Sequence, residues 1–108
     1  MSGDYYILEG REIIPVDCLT WAKWFERAKN RVIARDAFED VLVSTVFLGL
    51  DHQWIPDLPP LLFETMIFGG RHDQYQARYS TYDEALEGHR FALQLARVPD
   101  VLAAGFIG

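Results

Sequence analysis

The sequence predicts a single α+β domain in which a mainly antiparallel sheet of about five to six strands carries two helices on one face. Three observations lead there. Two apolar runs, residues 41–50 and 61–68, are rich in Val, Phe, Leu and Thr and are stopped by Gly, Asp or Pro, as strands are. Two other stretches repeat their apolar residues at a helical period. The chain has 108 residues, half of them hydrophobic, which is enough for one core but not two. That apolar share also excludes an intrinsically disordered chain. Residues 1–108 therefore read as one unit, with candidate tails at 1–4 and 99–108.

Each element has a local reason. Tyr5-Tyr6-Ile7-Leu8 and Glu12-Ile13-Ile14-Pro15-Val16 flank Glu9-Gly10. Glycine tolerates positive φ, so the segment reads as a hairpin. Pro15 cannot donate to a ladder, which puts its strand at an edge or marks the strand's end. Asp17 stands where an N-cap would, ahead of Trp21, Trp24, Phe25 and Ala28 at i, i+3, i+4 and i+7. This predicts a helix ending near Asn30, with Lys23, Arg27 and Asn30 on the opposite side. Residues 31–38 alternate loosely as a strand, and Glu39-Asp40 turns the chain.

Residues 41–50 follow as the longest and most hydrophobic strand. Its two faces, Val41/Val43/Thr45/Phe47 and Leu42/Ser44/Val46/Leu48, are both largely apolar. Such a strand belongs in the middle of a sheet with both faces covered. Helices account for one cover; the other calls for a partner such as a second copy of the chain. Residues 51–60 form a loop stiffened by Pro56, Pro59 and Pro60, and the run 61–68 returns antiparallel. Gly69-Gly70-Arg71-His72-Asp73 turns again. Tyr75, Ala77 and Tyr79 then alternate with Gln74, Gln76 and Arg78 in a half-exposed edge strand. Thr81 with Glu84 matches a capping box, as Ser80 with Asp83 does one residue earlier. The helix it opens carries the stripe Tyr82, Ala85, Leu86, His89, Ala92, Leu93 and Ala96, and Pro99 ends it by Val98. The predicted order is β-β-α-β-β-β-β-α.

Composition narrows the function. A net charge of −6, from 16 acidic and 10 basic residues, disfavours non-specific nucleic-acid binding. The one cysteine, Cys18, excludes an intramolecular disulfide. With no signal-like start, a reducing cytoplasm is the expected location. No apolar run approaches the roughly 20 residues of a membrane-spanning helix, and residues 101–107 are too short for one.

Chemistry has one lead. Glu64 is set in an apolar strand, where a charge needs a partner, water or a proton. His89 lies at the centre of its helical stripe beside Gly88. With Asp51 and His52 they could converge as a carboxylate–imidazole set for acid–base work or metal binding. The structural alternative, which we favour, is that Glu64 and His89 bond each other or nearby backbone and hold the sheet to the helix. No metal-site spacing, nucleophile elbow or phosphate loop is present, and no cofactor or metal is implied. Cys18 falls in the first turn of a helix, but Asp17 beside it opposes thiol activation. Lys23, Arg27, Lys29, Arg31 and Arg35 hold half of the positive charges; the tryptophans face away from Lys23 and Arg27, so this is a solvated face.

Apolar residues also point outward. Phe91 and Leu95 leave the stripe of the last helix, and Trp54, Ile55 and Leu58 sit on the proline-stiffened loop. A preorganised loop with an aromatic tip suits protein recognition. Alternatively, the loop folds back over the open end of the sheet and buries Trp54.

Three strings occur together: Ser44-Thr45-Val46-Phe47-Leu48-Gly49-Leu50-Asp51-His52, Pro60-Leu61-Leu62-Phe63-Glu64-Thr65-Met66-Ile67-Phe68-Gly69-Gly70, and Tyr79-Ser80-Thr81-Tyr82-Asp83-Glu84-Ala85 with Gly88-His89. With Thr20-Trp21-Ala22-Lys23-Trp24-Phe25-Glu26, they resemble a family of small uncharacterised proteins of bacteriophage and prophage genomes. The resemblance spans residues 5–95, and Arg71-His72-Asp73 departs from its pattern. It implies a phage-associated protein and carries no activity. The expectation is therefore a small, non-enzymatic, phage-associated protein that binds another protein, as a homodimer. One alternative is a small metal-binding or acid–base enzyme using Glu64, His89, Asp51 and His52. Another is an anti-defence inhibitor, for example of a CRISPR complex, acting through its acidic surface.

Overall fold

The computed structural model describes residues 4–98. The tail readings at 1–3 and 99–108, and the apolar run 101–107, lie outside the described residues. Within 4–98 the order is the expected one: six strands and two helices, β-β-α-β-β-β-β-α.

The strands divide into two antiparallel sheets. The hairpin of β1 (Tyr5–Glu9) and β2 (Glu12–Val16) turns through Gly10 at φ 62°. β2 is the outer strand of this ribbon, so Pro15, opposite Tyr6, is tolerated. Helix α1 (Cys18–Arg27) starts where Asp17 accepts the Thr20 backbone N–H at 2.7 Å. That bond holds the Asp17 carboxyl below its ordinary value. Trp21, Trp24, Phe25 and Ala28 are the half-buried side of the helix. It stops short of Asn30 because Ala28 turns extended, and the Asn30 side chain caps the Leu8 carbonyl instead.

The second sheet is a meander of β3 (Val32–Phe38), β4 (Val41–Phe47), β5 (Phe63–Phe68) and β6 (Gln76–Tyr79), in that spatial order. The run 41–50 does not remain one strand. Gly49 takes φ 74°, and Leu50 then bridges to Tyr5. The Tyr6 N–H donates to the Gly49 carbonyl at 2.8 Å, and the Asp51 N–H to the Asp4 carbonyl at 3.1 Å. The end of the central strand thus joins the hairpin to the main sheet.

Helix α2 (Tyr82–Ala96) opens with the complete Thr81–Glu84 capping box and crosses all four strands of the meander. Beneath it lie two apolar clusters. One joins Leu8, Phe47, Leu62, Phe63 and Ala85, with Phe47 and Phe63 edge to face at 5.1 Å. Trp24 of α1 reaches the same face by packing edge-on to Phe47 at 5.6 Å. The other cluster joins Val41, Val43, Ile67 and Ala92, and Leu95 packs on it. This differs from the outward direction that the helical period predicts for Leu95; the stripe is wide enough near the helix end to take it in.

Only one face of the meander is covered among the described residues. Along β4, Val41, Val43, Thr45 and Phe47 are buried, whereas Leu42, Ser44 and Val46 are half-buried. Register carries this alternation across the sheet. On the far face Val32, Val46, Glu64 and Arg78 form one row, Arg35, Ser44, Met66 and Gln76 the next, and Ala37, Leu42 and Phe68 the third. The two-sided cover expected for β4 is thus half supplied by its own chain.

Tight turns close the meander. Gly69 has φ 89°, and a Cβ there would run into the Asp40 carbonyl. Gly10 has positive φ but open space around it. Gly69→Ala should therefore lower stability by about 2–3 kcal/mol and Gly10→Ala by only about 1 kcal/mol, read from urea unfolding. Equal losses would mean that the Asp40 contact is not limiting.

Candidate functional site

His89 is buried, 5% exposed, in the middle of α2. Two strands meet it from below. Its Nδ1 lies 2.7 Å from the Thr45 hydroxyl, and that hydroxyl lies 2.5 Å from the hydroxyl of Thr65. Thr45 and Thr65 are directly paired across β4 and β5 and are both 0% exposed. On its other side His89 Nε2 donates to Asp36 Oδ2 of β3 at 2.8 Å. A carboxylate only accepts, so Nε2 carries a proton. In the neutral ring Nδ1 accepts the Thr45 proton, and Thr45 in turn accepts from Thr65. The line Thr65–Thr45–His89–Asp36 ties three strands to one helix.

Its connectivity matches that of a hydroxyl nucleophile, a base and an orienting carboxylate. Its location does not. A substrate would have to reach Thr45, which has no exposed surface. Only Asp36 reaches water, with about half of its side chain exposed. The arrangement does what buried polar networks do: it fixes the helix on the sheet in one position.

Glu64, the expected partner of His89, is elsewhere. Phe63, Thr65 and Ile67 turn toward α2, so the pleat sends Glu64 to the opposite face. There its Oε2 accepts from Arg78 Nε at 3.0 Å and from the Gln76 side chain. The cross-strand neighbour Arg78 thus neutralises the acid, and the expected Glu64–His89 contact is not made.

Asp51 and His52 lie at the end of the sheet, away from that network. Asp51 Oδ1 accepts the Gln53 N–H at 2.8 Å and the Leu61 N–H at 3.0 Å, closing the loop 51–61 at its neck. The His52 N–H donates to the Leu61 carbonyl at 3.1 Å. Inside the loop the Gln53 side chain bonds Pro59 O and the Ile55 N–H. Trp54 stands at the tip, 90% exposed, with Ile55 and Leu58 exposed beside it. The loop does not fold back over the sheet. The four residues Glu64, His89, Asp51 and His52 are therefore not brought together. Among the described residues, no group of three or more His, Cys, Asp or Glu side chains is placed to hold a metal ion.

Phe91 opens on a further surface. It projects from α2 toward Tyr75, with ring centroids 6.4 Å apart. Between α2 and β6 these rings and Tyr79 line a groove of about 560 Å³, rimmed by acidic residues of the first two helical turns. Gly88 shapes it: a Cβ at that position would strike the Tyr79 phenol, so the bare backbone lets the ring lie against the helix. The Tyr79 hydroxyl is buried without a hydrogen-bond partner.

Comparison with family models, with curated proteins and with solved structures gave no match to any of them. No helix among the described residues is long and apolar enough to cross a membrane.

Sequence reasoning missed Thr45, Thr65 and Asp36. A signal was available: an imidazole in the centre of an apolar stripe needs two polar partners, and Thr45 is in phase with Val43 and Phe47.

Two outcomes are expected. Thr45→Val should cost about 2–3 kcal/mol in chemical denaturation, because it strands both His89 and Thr65. The triple change Thr45→Val, Thr65→Val, His89→Leu should cost less than that single change, since none of the three positions then carries an unpaired buried group. A triple variant less stable than the single one would contradict the assignment. The second concerns alkali. Burial raises the Tyr79 phenol above its ordinary value. The folded state therefore favours the neutral phenol. Its contribution is complete below the unfolded value of about 10 and is lost as pH rises through the folded value. Tyr79→Phe should flatten the fall in stability above about pH 10. Tyr6, raised by burial as well, should leave a residual slope.

Proposed function

We propose that this chain is a phage-associated protein-binding module that acts in the bacterial cytoplasm as a homodimer and presents the 51–61 loop to its target. The observation that carries the reading is Trp54, 90% exposed on a loop locked by the Asp51 carboxylate and the Gln53 side chain. A large aromatic held in water by a closed hydrogen-bonded loop gains from burial in a partner and has little freedom left to lose. Ile55 and Leu58 extend the patch. Pro56, Pro59 and Pro60 restrict the backbone further.

The dimer rests on the far face of the meander. Val32 and Phe68 are exposed there, and Leu42, Val46 and Met66 lie between them. A two-fold pairing of identical faces would cover these side chains while leaving the Glu64–Arg78 pair at its rim. The resemblance to phage proteins supplies the biological setting of the proposal. Catalysis by Glu64, His89, Asp51 and His52 finds no support in a geometry that separates them.

Sedimentation velocity at tens of micromolar should give a dimer, and Met66→Glu on the far face should convert it to a folded monomer. A wild-type monomer up to about 100 µM would remove the dimer, since a useful association at cellular concentrations must be tighter than that. For the loop, Trp54→Ala should leave thermal unfolding unchanged, because the side chain packs on little of its own chain. Bacterial proteins retained by the wild type and released by Trp54→Ala would support the loop as the contact. An identical retained set for both would contradict it.

A further inference from the structure

The groove between β6 and α2 lies on the helix side of the sheet, apart from the far face and from the Trp54 loop. We propose that it is a receptor for arginine side chains of a basic protein segment, a second binding site beyond the loop contact. Its floor is aromatic: Tyr75, Tyr79 and Phe91. Its rim is anionic: Asp83, Glu84 and Glu87. An aromatic face attracts a cation through its quadrupole, and a guanidinium can stack on the ring while its N–H groups reach carboxylates. The combination selects a cation, since an anion would meet three carboxylates and a purely apolar guest would gain nothing from them.

The carboxylates are not equally committed. Glu84 is engaged by the capping box through one oxygen, Oε1. Glu87 is held only by Arg90, 2.6 Å away on the same helix, with both side chains largely in water. Asp83 is 3.6 Å from Arg11, and that pair is exposed too. Exposed pairs of this kind are worth little and are readily exchanged. The molecule already forms the proposed contact once with its own residue: Arg11 sits 4.6 Å from the centre of the Tyr82 ring while facing Asp83. The groove beside it repeats these partners around a larger opening.

Size and shape favour a peptide segment over a lone ion. At about 560 Å³ the groove has room for an arginine side chain with part of its backbone. It is an open trough rather than a closed cage, which suits a chain passing along it. Phe91 is 56% exposed and forms its outer wall, so a bound side chain would cover apolar surface that water now covers. The net charge of −6 draws a basic segment toward the molecule.

The test uses the full chain and a fluorescein-labelled peptide of alternating Arg and Gly, followed by fluorescence anisotropy and amide chemical shifts. Binding tighter than about 100 µM is expected at low salt, falling at least about fivefold between 50 and 300 mM salt. Shifts should cluster on β6 and the first three turns of α2. Phe91→Ala should weaken binding at least about fivefold, and Glu87→Gln about threefold. Arg90→Ala should strengthen it about twofold by freeing Glu87, a gain that a destabilised fold would not give. All three positions are exposed, so thermal unfolding of each variant should match the wild type. Equal binding of peptides in which Lys or Gln replaces Arg would overturn the proposal. So would no binding at about 1 mM, Phe91→Ala binding at wild-type strength, or shifts centred on Trp54 or the far face. A chain that binds this peptide but stays monomeric, or ignores Trp54→Ala in the retention assay, would lose the earlier reading and keep this one.

Discussion

The hydroxyl of Thr45 is the point on which the architecture turns. It lies within hydrogen-bond distance of two buried groups at once, Thr65 on the next strand and His89 on the helix above. Asp36 completes the line from a third strand. Apolar packing alone would let the helix slide along the sheet. A directed line of hydrogen bonds admits one position, because any slip leaves buried donors and acceptors without partners. Apolar clusters on either side, around Phe63 and around Ile67, supply the bulk of the burial; the polar line supplies the register.

That fixed position has consequences for every surface. With α2 committed to one face, the opposite face of β4 and β5 lacks a cover of its own among the described residues. Its apolar side chains surround a single acid, Glu64, which Arg78 neutralises. Gly88 precedes His89, so the residue that anchors the helix also places bare backbone over Tyr79 and opens the groove beneath Phe91. The loop 51–61 follows the same logic at the sheet's end. Asp51 closes its neck on two backbone N–H groups, which frees its tip to carry a tryptophan into solvent. Interior polar groups hold shape, and they leave the aromatic side chains of Trp54 and Phe91 in solvent.

How legible this was depends on the range of each interaction. The Asp17 cap, the Thr81–Glu84 box, the Gly10 hairpin and both helical stripes involve residues a few positions apart, and composition declares them directly. The order of elements followed from these. Pairings across the chain were harder. Glu64 and His89 are both polar residues in apolar settings, which invites pairing them. The pleat separates them, because Thr65 rather than Glu64 shares a face with Phe63 and Ile67. Both faces of these strands are apolar enough that hydrophobicity did not choose between the two phases. Thr45 and Thr65 escaped notice because threonine is ordinary in strands. Trp54 could be placed on a stiff loop from its prolines, but its direction depended on Asp51 and Gln53 bonding inward, which no periodicity reveals.

The most direct measurement of this account is the position of the proton on the His89 ring, read from a long-range proton–nitrogen correlation spectrum of the folded protein near neutral pH. Donation to Asp36 requires the proton on Nε2, in one fixed ring orientation, with Nδ1 coupled to a slowly exchanging hydroxyl of Thr45. A ring protonated on Nδ1 alone, or one averaging between the two nitrogens, would mean that the line from Thr65 to Asp36 is not formed and that packing alone positions the helix.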